Sequence, residues 1–458
     1  MQRRHFIQHA GLLCAASAIN LKGWSAQANW SYQLTAQAAT LNLLPGGPTP
    51  ALGYNGQFPA PVLRAKQGKP FRVEFTNLLT EPTTIHWHGL RIPNAMDGVP
   101  HFTQPPIQPG QRFVYEFTPK DAGTFWYHPH TNSLEQLSRG LMGVLIVEEA
   151  RPLPFGEEIV LGLKDWLLNS DGSFAPFTSL RAAARVGTLG NITRVNGLET
   201  PQYTAQGLEC LRLRIANMDN TRIYDIGCNM PAQIIALEGN PLKTPHPLEH
   251  HLLGPGMRVD LAIQLPREGQ LQVFDQKGKL SYPIASVLIS PPALDAKTPA
   301  ASKAKALPKL AMNPIARPNL KQAKTIPLLF EWAGELSESS AEPKLWLINR
   351  EGWAGGCEDM MPGHLPTPLF TCKKNGHYIL DMHNASPYPH PVHMHGHTFL
   401  VYERDGVAVE PYFTDTILLL KYEKAKVAFV ADNPGDWMFH CHIIEHMKTG
   451  FMGFFRVT

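Results

Sequence analysis

The chain has 458 residues, 43% hydrophobic and 17% charged, with a formal net charge of +3. That suits about three domains of ~150 residues, excludes disorder throughout, and leaves no basic footprint for nucleic acid. Forty-one prolines and 37 glycines predict many turns between short strands and so an all-β protein.

The N-terminus reads as a removable leader. Arg3-Arg4-His5-Phe6-Ile7 has the twin arginines and apolar follow-on of a Tat-type signal, the run from Ala10 to Ala18 is too short to span a bilayer, and Ala26-Gln27-Ala28 offers an A-x-A cleavage site. Loss of residues 1–28 removes Arg3, Arg4 and Lys22 and no acid, so the formal charge falls to zero. No later apolar run is long enough for a membrane helix. The expected location is therefore soluble and periplasmic.

A first domain, 29–150, shows alternating strands at 71–75 and 113–117 and a buried one at 142–147, with turn signals at Pro109-Gly110 and Asp121-Ala-Gly123, as in a β-sandwich. His86-Trp-His88 is expected just past a strand edge, and His128-Pro-His130 at the end of a strand at 124–127. A second domain, 151–290, fits the same template more weakly. Phe274 falls where His128 would be, so this domain is expected to hold no metal and to act as a spacer. Residues 291–322, rich in Ala, Pro and Lys, suit a linker or surface loop. In an oxidising compartment Cys210 with Cys228, and Cys357 with Cys372, are the local disulfide pairings, with buried free thiols as the alternative.

The third domain, 323–458, repeats the first. Gly123-Thr-Phe-Trp-Tyr-His128-Pro-His130 matches Gly435-Asp-Trp-Met-Phe-His440-Cys-His442, and His86-Trp-His88-Gly89 matches His393-Met-His395-Gly396. Such shared spacing argues for an internal duplication. Only the second copy offers a thiolate, because Pro129 stands where Cys441 does. Together with His390 and His446 the stretches present ten histidines and one cysteine, more than one metal can take. A thiolate with two imidazoles selects copper in an electron-transfer site, and imidazole clusters hold further copper where a small molecule binds. Zinc competes for His/Cys sets, but nothing here has the spacing of its closed four-ligand sites.

These motifs closely resemble the multicopper oxidase family, in particular bacterial three-domain laccase-like enzymes with a Tat-type signal. The resemblance covers essentially all of the chain past its leader. It implies three cupredoxin-like Greek-key β-sandwich domains and four copper ions. His390, Cys441 and His446 would bind a type 1 copper, and His86 with His393 a type 2 copper. A type 3 pair would take His88, His128 and His442 on one ion and His130, His395 and His440 on the other. His397 is not a ligand in that pattern. The axial position beyond Cys441 is Phe451, with Met452 the alternative, and strand alternation favours Phe451. Asp97, in an Asp-Gly turn after His88, matches the family's acidic proton donor, a catalytic role beside that of Cys441. Met447 stands where some relatives carry a second acid, and Glu445 is expected to be structural.

The resemblance implies an oxidase that couples four one-electron oxidations to reduction of O2 to water, working as a monomer. Phenolic or aromatic-amine substrates are preferred to Cu(I), because Ser386 and Tyr388 replace the methionines and acids that cuprous oxidases carry there. Only 358–361, Glu-Asp-Met-Met, offers a Cu(I)-binding stretch. A silent cupredoxin-like structural or cell-division protein is the remote alternative.

Overall fold

The computed structural model describes residues 30–44, 47–292, 307–333, 344–354 and 366–458. The expected leader, much of the linker, Cys357 and residues 358–361 lie outside them. The described chain is built of strands, with four short helical segments.

Three sandwiches follow one another. In the first, a sheet of Gly47–Tyr54, Ser31–Leu44, Phe71–Asn77 and Arg112–Phe117 faces one of Leu63–Lys66, Gly143–Glu148, Gly123–His128 and His86–His88. Phe71–Asn77 shows how the sequence makes it: Phe71, Val73 and Phe75 point inward while Arg72, Glu74 and Thr76 point outward. Each such aromatic or branched side chain contributes roughly 1.5–3 kcal/mol when it leaves water. The second and third sandwiches each set a six-stranded sheet against a five-stranded one.

The same two parallel pairings recur in all three. Ser31–Leu44 lies parallel to Phe71–Asn77, Glu157–Trp166 to Cys210–Asn217, and Lys324–Trp332 to His377–Asn384. In the opposite sheets Leu63–Lys66, Gln202–Gln206 and Phe370–Cys372 pair parallel with the last strand of their own sandwich. Parallel neighbours require the chain to cross between sheets, so this repeated crossing marks one Greek-key plan used three times. The duplication extends to register, since His86 pairs with His128 in the first sandwich and His393 with His440 in the third.

Two readings that the sequence left broad become narrower here. Cys210 and Cys228 are free thiols. They open and close strands of opposite sheets: Cys210 packs with Ile235, Ala262 and Leu310, and Cys228 donates from Sγ to the Met230 carbonyl at 3.0 Å. Cys372 is likewise a free thiol, and Cys357 lies outside the described residues. The described end of the linker, 307–322, is no loose tether. Asn313 is buried in it, bonding to both backbone groups of Ala122 and to Gly239 and Asn240, so it stitches the first two sandwiches together.

Candidate metal centres between the first and third domains

His86-Trp-His88 forms a strand of its own, where a loop position was expected. Because successive side chains face opposite ways, Trp87 enters the first core against Phe71 and Phe117, while His86 and His88 share the other face. His393-Met394-His395 and His440-Cys441-His442 repeat the device, with Met394 and Cys441 in the third core. The histidine faces of the two sandwiches meet. His86 stacks on His395 with ring centroids 3.9 Å apart, and His88 on His393 at 3.7 Å. His128 and His130 approach from one side, His440 and His442 from the other. No ring is more than 2% exposed.

Ligand atoms converge in overlapping groups: His130, His395 and His440; His86, His88 and His128; His86, His393 and His395. His442 joins by its ring, 4.9 Å from His88 and 5.5 Å from His128. Hydrogen bonds fix the far nitrogen of most rings. His86 Nδ1 donates to the Asp97 carbonyl, His128 Nδ1 to Pro129, His440 Nδ1 to Cys441, and His393 Nδ1 to Asp415. What remains buried without a partner is His86 Nε2, His88 Nδ1, His128 Nε2, His393 Nε2 and both nitrogens of His442. Buried polar atoms are normally satisfied. Orphans all aimed into one cluster of imidazoles are what bound metal ions would satisfy. Burial drives most of these rings well below the usual histidine range, His440 to about 3. They are therefore neutral and ready as ligands.

A second centre lies on the other face of the Cys441 strand. His390 Nδ1 and His446 Nδ1 are 3.1 Å apart, and Cys441 Sγ is 3.6 and 3.7 Å from them. A metal bonded at about 2.0–2.3 Å to each donor fits three atoms so spaced. All three side chains are fully buried, and burial raises the Cys441 thiol, so a metal must displace its proton. Phe451 closes this site, its ring centroid 4.7 Å from that of His390. Met452 points away into a separate cluster with Met438 and Met447. His397 packs among Phe429, Trp437 and Phe455 beside the His395 carbonyl.

Asp97 reaches the cluster directly. Its Oδ2 accepts from His395 Nδ1 at 2.8 Å, and Oδ1 is buried without a hydrogen bond, 3.4 Å from His86 Nδ1. The Asp-Gly turn is also real, since Gly98 has φ +80° and a Cβ there would meet the Ile85 carbonyl at 1.8 Å.

The sequence reading missed Asp415. It lies 3.3 Å from His88 Nε2 and 3.4 Å from His393 Nδ1, while Arg258 of the second domain grips both its oxygens. An acid inside the buried run Thr414–Leu419 was the available signal. The second domain does more than space the others: Gly256, at φ +82°, sits where a Cβ would be 2.8 Å from His442 and 3.0 Å from His88.

It also roofs the Cys441 centre. His446 Nε2 donates to the Arg185 carbonyl at 2.6 Å, and Trp346, packed on the His446 ring, donates Nε1 to the Ala183 carbonyl at 2.8 Å. Glu445 is structural as expected: its carboxylate accepts from Thr178, from the Thr188 amide and hydroxyl, and from Thr221. Ala183 and Ala184 drop into the third domain's core, where only small side chains allow so close an approach.

Models of the multicopper oxidase family match residues 35–152 and 338–458. Among solved structures, a multi-copper oxidase from Pseudomonas thermotolerans is 42% identical with a TM-score of 0.84, covering 93% of this chain and 99% of that one. One from Pseudomonas parafulva is 40% identical with a TM-score of 0.82, covering 93% and 100%. A multicopper oxidase from Staphylococcus epidermidis is 29% identical over 93% of this chain and 88% of its own. With two buried donor sets suited to copper joined through one tripeptide, and this likeness along nearly its whole described length, the chain belongs to the multicopper oxidase family and is a copper-dependent oxidase.

Proposed function

We propose that this oxidase takes single electrons from phenolic or aromatic-amine reductants at the Cys441 centre and reduces O2 to water at the histidine cluster. His390, Cys441 and His446 would hold a type 1 copper, and His86 with His393 a type 2 copper. A type 3 pair would rest on His88, His128, His442 and on His130, His395, His440. When bound, copper supplies one-electron redox chemistry at the first centre and oxygen binding at the second. The observation that carries the reading is the tripeptide His440-Cys441-His442, whose middle residue faces one centre and whose flanks face the other, so only a few covalent bonds separate them.

The remaining parts hold these groups in place. Asp97 orients His395 through Oδ2, and its Oδ1 is the atom from which a proton would be given to reduced oxygen. Asp415, fixed by Arg258, orients His88 and His393. For substrate class, the support lies on the outer nitrogens of the Cys441 centre: His390 Nε2 meets Ser386 Oγ at 2.8 Å and His446 Nε2 meets a backbone carbonyl. Neither is the thioether or carboxylate that would receive Cu(I).

Metal analysis with paired turnover on a phenol and on Cu(I) tests the reading. The expected result is four coppers per chain and preferential phenol oxidation. Turnover of Cu(I) alone would replace the phenolic reading with a cuprous oxidase. The twin-arginine motif supports export to the periplasm, checked by cell fractionation, and the proposed monomeric state is checked by sedimentation. No helix among the described residues is long and apolar enough to cross a membrane.

A further inference from the structure

Among the described residues, two rings that are not imidazoles touch the histidines of the Cys441 centre, and they differ in chemistry. Phe451 lies on His390, while the Trp346 ring centroid lies 4.2 Å from that of His446 and 4.8 Å from that of His390. A phenyl ring does not readily give up an electron, whereas an indole does. Trp346 donates Nε1 to the Ala183 carbonyl. A carbonyl is too weak a base to take that proton, so this indole can pass an electron and stay protonated.

Trp346 is the inner end of a series. Tyr388 stands edge-on to it, with centroids 5.8 Å apart and planes at 83°, and edge-on to Trp332 at 5.9 Å and 85°. Trp332 and Trp346 lie opposite each other on the paired strands Lys324–Trp332 and Trp346–Ile348, so their side chains share one face. Trp346 is fully buried, Tyr388 half-buried and Trp332 38% exposed, so the three rings run from the core to the surface. The middle one is held from its backbone: Asn384 Nδ2 donates to the Tyr388 carbonyl at 2.7 Å, and the Tyr388 amide donates to Ser386 Oγ at 3.3 Å. Electron transfer falls steeply with the gap between donor and acceptor, and indole and phenol are among the side chains most easily oxidised by one electron. Three such rings in succession therefore carry an electron where an aliphatic core would not.

We propose that Trp332, Tyr388 and Trp346 form an electron relay, and that exposed Trp332 is a docking site for phenolic polymers, whose rings can stack on a surface indole but cannot enter the protein. This site lies three rings out from the imidazoles, not at their edge. The inference rests on the phenolic reading above and adds a second class of substrate to it. In each event Trp346 gives one electron toward the Cys441 donor set. Tyr388 restores Trp346 and releases its phenolic proton to water; Trp332 restores Tyr388, which takes a proton back. A phenol unit of the polymer restores Trp332, losing one electron and its hydroxyl proton, and is left as a phenoxyl radical. Four such losses, with four protons from solvent, convert one O2 to two waters.

The test compares a sulfonated phenolic polymer, lignosulfonate, with the small phenol 2,6-dimethoxyphenol on copper-loaded wild type, Trp332→Phe and Tyr388→Phe. Phenylalanine keeps a ring in place but cannot relay. Each variant should lose about five- to tenfold in kcat/KM on the polymer and less than about twofold on the small phenol. Copper content, visible band and Tm should be unchanged, which a merely structural role for these rings would not allow. A second readout is independent of turnover: oxidised enzyme is held with a nitroso spin trap and no reductant, then digested for mass spectrometry. A trap adduct is expected on Trp332 of the wild type and absent from Trp332 of Tyr388→Phe. A polymer-to-phenol ratio that is the same in all three proteins, with no adduct on Trp332 of the wild type, would overturn the relay while leaving phenol oxidation standing. Failure of the wild type to oxidise either substrate, with turnover of Cu(I), would instead overturn the phenolic reading and the polymer site with it.

Discussion

Arg258 of the second domain and Asp415 of the third meet in a two-pronged ion pair at 2.9 and 2.6 Å, with neither side chain exposed. Arg258 also holds Glu238 at 2.8 Å, but burial, with Asp415 and Asp260 close by, still pushes the Glu238 carboxyl well above the ordinary range, so the guanidinium's charge is matched by Asp415. Burial alone would raise the Asp415 carboxyl; Arg258 overcomes this and keeps it well below the ordinary range. Replacing Arg258 with Met should cost ~3–5 kcal/mol, because it strands a buried charge. Copper content should fall too, as His88 and His393 lose their common anchor. Thermal unfolding and metal analysis check this; an unshifted Tm would show that the pair stabilises nothing.

Replacing Cys441 with Ser should abolish the intense visible band of a thiolate–Cu(II) centre and stop turnover, while the imidazole cluster still loads copper. Absorption and metal analysis read both. Protein that stayed deep blue would place the thiolate elsewhere.

Phe451 covers His390 with a ring that cannot coordinate. The Phe451→Met variant should lower the potential of the Cys441 centre, because an axial thioether stabilises Cu(II). Redox titration of both proteins decides, and equal potentials would mean that this side chain does not reach the metal.

Asp97→Asn keeps the turn and the shape but removes the ionisable group. Reoxidation by O2 should slow while reduction of the Cys441 centre by substrate stays near normal. Stopped-flow measurement separates the half-reactions. Normal reoxidation at full copper loading would leave Asp97 only the task of holding His395.

Glu158 makes an acid-stability prediction. Burial pushes its carboxyl up, but Arg214 and Arg64, at 2.7 Å each, overcome this and hold it at about 2. A carboxyl lowered on folding stabilises above its unfolded value of about 4.3 and loses that contribution as pH falls. The acid limb between about pH 4 and 2 should therefore be shallower in Glu158→Gln, with ~1–2 kcal/mol at stake after allowing for solvent access. Identical limbs would show that the pair gains nothing on folding.

Much of this was legible because both signals are local. Period-two alternation marked the strands around Phe71–Phe75 and Phe113–Phe117, and the paired histidines marked the faces that meet. The coming together of His86 with His395, 309 positions on in the chain, could be inferred only from their repeated motifs. Asp415 and Arg258 escaped because a lone acid and a lone base in separate strands carry no spacing that links them. The Arg185 carbonyl escaped more completely, since a backbone atom leaves no mark in the order of side chains. The choice between a Cys210–Cys228 bridge and free thiols stayed open in the sequence, because nearness along the chain says nothing about which sheet each strand joins.

The roof over His446 comes from a sandwich that contributes none of the proposed metal ligands. Its residues lie more than 250 positions from the imidazole they cover. What covers the Cys441 centre and what supplies its donor atoms are thus written in separate stretches of the gene. A graft of about a dozen codons across the Ser179–Leu189 stretch, keeping Ala183, Ala184 and Thr188, would exchange the outward face of this roof and leave every histidine where it stands.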